Sequence, residues 1–217
     1  MPRFSAGNPD RQIQIGRMSE VRSTFRLHVG DPAPPFDLPD AHGRIVSIDQ
    51  AAGPDGLLVV FACNHCPFVV HLADALGNCA AEFADLGIGA VAVNANDADT
   101  YPDDAPAMMA PFAAKHGWSF PYLIDASQRT ALAYGAACTP DFFLFDGDRR
   151  LFYSGQFDGT RPRRGTADGA DLCDAARRML AGQAPPDPAW PSSGCNIKWR
   201  PGNRPDWWDS GNTPAGL

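Results

Sequence analysis

Two residue types are nearly missing from the 217-residue chain: Glu occurs only at Glu20 and Glu82, and Lys only at Lys115 and Lys198. Asp and Arg carry the charge instead, an imbalance that reads as genome composition rather than function. Basic residues are outnumbered, 18 Lys+Arg against 25 Asp+Glu, for a net charge of −7. The chain therefore lacks the basic surface that nucleic acid demands, and no nucleic-acid partner is expected. No apolar run approaches the roughly 18 residues of a membrane span, so no membrane is expected either. The first thirty residues lack an apolar stretch, because Arg3, Asp10, Arg11, Arg17, Glu20, Arg22 and Arg26 are scattered through them. That pattern excludes a secretory signal and points to the cytoplasm, with either Met1 or Met18 as the start. In a reducing compartment six cysteines are catalytic, metal-binding or buried rather than a disulfide framework.

What is present suffices for one core: 44% of the residues are hydrophobic. Residues 1–28 are polar and aperiodic and read as a disordered or loosely held leader. Phe36 and Leu38, then Val46 and Ile48, alternate with polar neighbours around Ala41-His42-Gly43, a hairpin signal. Residues 56–62 form a continuous apolar run suited to a strand buried on both faces. Phe68, Leu72, Leu76, Cys79, Phe83 and Leu86 recur at helical spacing. Residues 88–94 read as a second buried strand, 97–106 as an Asp-rich loop, 108–116 and 128–134 as helices, and 121–124 as a short strand. Residues 141–145 and 151–157 form a strand pair around Asp146-Gly147-Asp148. A last amphipathic helix covers 168–181. The order predicts an α/β domain over residues 29–183, a central mixed sheet with helices on both faces. Residues 184–217 hold seven Pro and four Gly, too many to build a core, so this tail is expected to dock on the domain.

Chemistry concentrates at Cys63-Asn64-His65-Cys66, where a buried strand passes into a helix. Free N–H groups and the positive dipole end of a helix favour thiolate over thiol. About 2 kcal/mol at most from the dipole, at about 1.4 kcal/mol per pKa unit, lowers a thiol by up to roughly 1.5 units. His65, if protonated, adds a second positive charge. This reading makes Cys63 the attacking sulfur and Cys66, one turn inside, the resolving one. Pro67 disfavours a helical Cys66, so the helix starts late or with a distorted first turn. A metal site using Cys63, Cys66 and His71 is an alternative of another class, although no second CxxC or His pair is available to close a tetrahedral site.

The second motif is Cys138-Thr139-Pro140, just before an apolar strand. Strand, CxxC, helix and a distant Thr-Pro leading into a strand pair resembles the thioredoxin pattern. The segments GDPAPPFDLPDAHGRIVSI, FACNHCPFV, NANDADTYPDD, YGAACTPDFFLFD, GQFDG and GCNIKW resemble the peroxiredoxin-like redoxins of the alkyl hydroperoxide reductase and thiol-specific antioxidant branch. The resemblance implies a thioredoxin-like fold with an N-terminal β-hairpin and an inserted strand–helix unit at 121–135. It implies that Pro140 is cis and faces the CxxC, presenting the backbone of Thr139. It places Asn64, His65, Pro67, Thr139 and Pro140 as supports of the two cysteines. The implied partners are protein or small-molecule disulfides and thiols, with a thioredoxin- or glutathione-type reductant and no cofactor. A peroxiredoxin carries its peroxidatic sulfur at the position of Cys66, with a Thr, a Pro and an Arg that polarise peroxide. Here those three positions are Cys63, Val59 and about Pro140. The residues therefore favour dithiol–disulfide exchange, with thiol peroxidase chemistry as the alternative.

Cys79 and Cys173 lie on apolar helix faces and read as inert buried thiols. Cys138 is expected near the active site, and Cys195 lies in the one motif of the tail, so both are candidate redox thiols. The tail's Trp190, Cys195, Ile197 and Trp199 imply docking, with Cys195 beside the Cys138–Pro140 loop.

Overall fold

The computed structural model describes residues 20–208. Its elements in chain order are β1 (Glu20–Arg22), β2 (Asp37–Pro39), β3 (Ile45–Ser47), α1 (Ile48–Ala51), β4 (Gly56–Phe61), α2 (Pro67–Asp85) and β5 (Ile88–Asn94). There follow α3 (Pro106–Lys115), β6 (Tyr122–Ile124), α4 (Arg129–Tyr134), β7 (Cys138–Thr139), β8 (Asp141–Asp146), β9 (Leu151–Gly155), α5 (Ala170–Leu180) and β10 (Ser193–Asn196).

A five-stranded sheet runs in the order β6-β5-β4-β8-β9. The pairs β4–β5 and β5–β6 are parallel, whereas β8 is antiparallel to β4 and to β9. β4 is buried along its whole length because both faces are covered. Its side chains divide by pleat: Leu58 and Val60 join the core under α2 and α5, while Leu57, Val59 and Phe61 join the core under α1 and α4. This is the mixed α/β sheet with helices on both faces that the alternating pattern predicts. β2 and β3 form the expected hairpin. Ile48 opens α1 rather than ending the strand, because Ser47 and Gln50 form a capping box there.

A second, three-stranded sheet has the order β1-β10-β7. It corrects the reading of the leader: residues 20–22 are a strand, held by backbone pairing that a single apolar residue, Val21, does not announce. The tail contributes β10, and with it Cys195 and Ile197 are buried, although Trp190 is exposed. Residues 1–19 of the leader, Met1 and Met18 among them, and residues 209–217 of the tail lie outside the described residues. Among the described residues no helix is long and apolar enough to cross a membrane.

Candidate active site

β4 delivers the CxxC and α2 anchors it. The Ala62 N–H still bonds the Val93 carbonyl at 3.0 Å, so strand geometry reaches the residue before Cys63. α2 begins at Pro67, a first-turn position where a missing N–H costs nothing. Pro67 pushes the residue before it out of the helical region, and Cys66 is accordingly extended (φ −70°, ψ 120°) and becomes the N-cap. The expected placement is thus corrected: Cys66, not Cys63, sits at the helix end, and Cys63 lies a further three residues out.

Both cysteines are fully buried. Thr139 touches each: its carbonyl accepts a hydrogen bond from the Cys66 thiol at 3.0 Å, and its hydroxyl lies 3.3 Å from the Cys63 sulfur. The Thr139–Pro140 peptide is cis. β10 runs antiparallel to β7, with Cys195 paired to Thr139 and Asn196 to Cys138. Cys195 is therefore brought to the Thr139 backbone whose carbonyl holds Cys66. Cys138 turns away: its thiol is fully buried and donates to the Pro140 carbonyl at 3.3 Å.

Acidity follows this arrangement. Burial works against ionising Cys66, but donors outweigh it: the Cys195 and Cys63 thiols and the backbone N–H groups of Val69 and Cys195 draw its pKa far below the ordinary thiol value. Burial pushes Cys63 well up, and the neighbouring sulfur and the Asp104 carboxylate add to the effect. These directions favour thiolate at Cys66, whereas the sequence reading places it at Cys63. Cys138 is pushed up as well, by burial and then by Asp141.

Asp104 is the site residue that the sequence hides. Its carboxylate accepts from the Asn64 N–H at 2.8 Å and from the Asn96 side-chain amide at 2.7 Å, and it lies 2.7 Å from His65 Nδ1. The Asp104 carboxylate beside it raises the His65 pKa against the effect of burial, which favours an imidazolium beside the dithiol. Asn64 is held at its other end, donating to the Asp103 carbonyl at 3.0 Å and accepting from the Tyr122 hydroxyl at 3.1 Å. His65 stacks on Tyr101. An open groove of about 360 Å³, lined by Asn64, His65, Met108, Phe112 and Lys115 among others, reaches the loop between the cysteines.

His71 is not part of this cluster; its Nε2 lies 2.9 Å from the Thr160 hydroxyl. Among the described residues, the donor atoms that converge are those of Cys63, His65 and Asp104, within 4.8 Å of one another. The metal set Cys63, Cys66 and His71 is therefore not assembled, because the His71 side chain leaves α2 toward the 158–161 loop. Pro67 is exposed at the mouth of the site.

Residues 29–154 match the model of the AhpC/TSA family. The chain belongs to this family. It is similar to the crystal structure of a hypothetical protein from Sinorhizobium meliloti, at 44% identity and a TM-score of 0.80 over 84% of this chain and 100% of that one. A Mycobacterium tuberculosis protein provisionally named a peroxiredoxin is 29% identical over 54% of this chain and 69% of its own length. A Chlorobium tepidum structure provisionally titled a thiol:disulfide interchange protein, DsbE, is 25% identical, with a TM-score of 0.57, over 71% of this chain and 99% of that one. The thioredoxin-like fold and a redoxin-type oxidoreductase chemistry for this AhpC/TSA member follow from these likenesses together.

Proposed function

We propose that the protein is a cytoplasmic thiol–disulfide oxidoreductase in which Cys66 attacks and Cys63 resolves. The observation that carries this reading is Cys66 at the N-cap of α2, where the positive end of the helix favours its thiolate. The Cys66 thiolate attacks a disulfide of a protein or small molecule, forms a mixed disulfide and releases the first thiolate, which takes a proton from solvent. Cys63 then gives up its proton and attacks the Cys66 sulfur, releasing the second substrate thiol and leaving a Cys63–Cys66 disulfide. A thioredoxin- or glutathione-type reductant returns two electrons and gives up two protons, one to the Cys63 thiol and one to solvent, which restores the Cys66 thiolate. No cofactor enters the cycle. Both sulfurs are sealed in the resting structure, so reaction requires the chain around them to open, and the groove beside Asn64 and His65 offers the partner surface.

The reading is tested by reduction of insulin or an aromatic disulfide with a thiol donor. Cys66→Ser is expected to abolish turnover. Cys63→Ser is expected to attack once and stall as a mixed disulfide on Cys66. Turnover in Cys66→Ser, with the adduct on Cys63, overturns the order of attack.

Peroxide reduction is the second reading, favoured by the lowered pKa of the sulfur at the peroxidatic position. Against it stand Cys63, Val59 and Pro140 where peroxide-polarising groups belong. Sulfenic acid at Cys66 after stoichiometric hydrogen peroxide supports this reading, and its absence excludes it.

A further inference from the structure

Five of the six cysteines are buried; Cys173, on α5, is partly exposed. Its sulfur lies 3.4 Å from that of Cys79 on α2, in hydrogen-bond contact and with no disulfide between them. The sequence places each thiol on an apolar helix face; in the structure α5 lies alongside α2 on the same face of the sheet and brings residues 94 apart in sequence into sulfur–sulfur contact. A disulfide is about 2.05 Å long, so the two sulfurs need to approach by about 1.4 Å to bond. Arg177 lies one helical turn beyond Cys173. The hydrogen bond from the Cys79 thiol, aided by Arg177, favours thiolate at Cys173, with burial, Glu82 and Asp168 opposing.

Cys66 and Cys79 stand 13 residues apart on the same stretch of chain, about 20 Å along a helix axis. The α2–α5 pair is therefore a separate centre, not a direct partner of the CxxC. It also holds the one cysteine that is partly exposed, Cys173.

We propose that Cys79 and Cys173 form a second redox site, a dithiol that is oxidised by low-molecular-weight disulfides of the glutathione class and closes into an α2–α5 disulfide. The Cys173 thiolate attacks one sulfur of the small disulfide, forming a mixed disulfide and releasing one small thiol. Cys79 loses its proton and attacks the Cys173 sulfur, releasing the second small thiol. The pair loses two electrons and the Cys79 proton; the first small thiol takes its proton from solvent, which received the Cys173 proton on ionisation, so the two released thiols carry the two electrons and two protons of the original dithiol. The bond ties the helix that carries the active-site N-cap to the last helix of the domain. This site is independent of the function proposed for Cys63 and Cys66.

The test uses the full chain, reduced, freed of reductant and incubated with oxidised glutathione. Acid quenching, alkylation and non-reducing peptide mapping then assign every pair separately, so a silent CxxC and a silent α2–α5 pair are told apart. A Cys79–Cys173 linked peptide is expected, in the wild-type chain and equally in Cys66→Ser. The link should raise the melting temperature by about 5–10 °C, a rise absent from Cys173→Ser. Alkylation of both thiols, or glutathione retained on Cys173 beside an alkylated Cys79, overturns the proposal.

Discussion

A helix end contributes about 0.3–1 kcal/mol to a charge at its N-terminus, and about 2 in the best geometry. That is too little to take a thiol from about 8.5 to far below neutrality. The Cys66 sulfur meets more than a helix end: the thiol and backbone N–H of Cys195 come from the tail, 129 residues away in sequence, and add to Cys63 and Val69. Removing the Cys195 thiol tests this directly. In Cys195→Ala the pKa of Cys66, followed by thiolate absorbance near 240 nm, is expected to rise by at least about one unit. An unchanged titration means that Cys195 does not act on Cys66. Asp104→Asn probes the other side of the site: loss of the carboxylate should lower the His65 pKa, read by NMR, and ease the ionisation of Cys63. An unmoved His65 titration excludes Asp104 as its partner. The CxxC itself was legible in the sequence because an apolar run, two cysteines and a helical period adjoin one another. Which sulfur ionises was not legible, since it depends on Pro67 shifting the N-cap and on a strand from the far end of the chain. Asp104 was hidden for a similar reason. Asp97, Asp99, Asp103 and Asp104 look alike in the loop, and only folding directs Asp104 at Asn64, 40 residues away.

At the scale of elements, β10 closes the site. It lies so near β7 that a Cβ on Gly194 would meet the Thr139 carbonyl oxygen at 2.1 Å and its carbon at 2.6 Å. The obstacle is backbone, which cannot swing aside, and the same carbonyl holds Cys66. Gly194→Ala is therefore expected to push β10 off β7, at about 1–3 kcal/mol in a denaturant titration. The Cys66 sulfur, sealed in the parent, should then be alkylated at least about tenfold faster. A variant with unchanged stability and alkylation shows that β10 does not hold the cover in place. The density of apolar residues in the tail announced docking, and Cys195 and Ile197 are indeed buried. The receiving strand was not legible: Glu20–Arg22 offers one inward side chain, Val21, and is held by main-chain pairing, which leaves no hydrophobic period to read.

Across the whole molecule, the sheet was legible where burial is two-sided or periodic. β4 and β5 read as unbroken apolar runs and α2 as a stripe, because each packs on a large continuous core. The joint between the two sheets was not, although it carries a testable charge. Asp141 opens β8 with its side chain fully buried, accepting from the Ser23 hydroxyl at 2.6 Å and the Ala137 N–H at 3.1 Å. Burial outweighs these donors and pushes its pKa up to about 6 from an ordinary 3.8. The folded state therefore holds this proton more tightly than the unfolded state. Below pH about 4 both states are protonated and Asp141 costs nothing. Between pH 4 and 6 the unfolded chain releases the proton first, so stability falls as pH rises, by about 3 kcal/mol for a shift of about 2 units. Asp141→Asn loses one acceptor and is expected to be less stable at pH 4, but it cannot ionise. The gap between parent and variant, measured by denaturant unfolding at pH 4, 5, 6 and 7, should close with rising pH by about 2–3 kcal/mol. Parallel curves across that range would show that the pKa of Asp141 is the same in the folded and unfolded chain and that burial does not raise it.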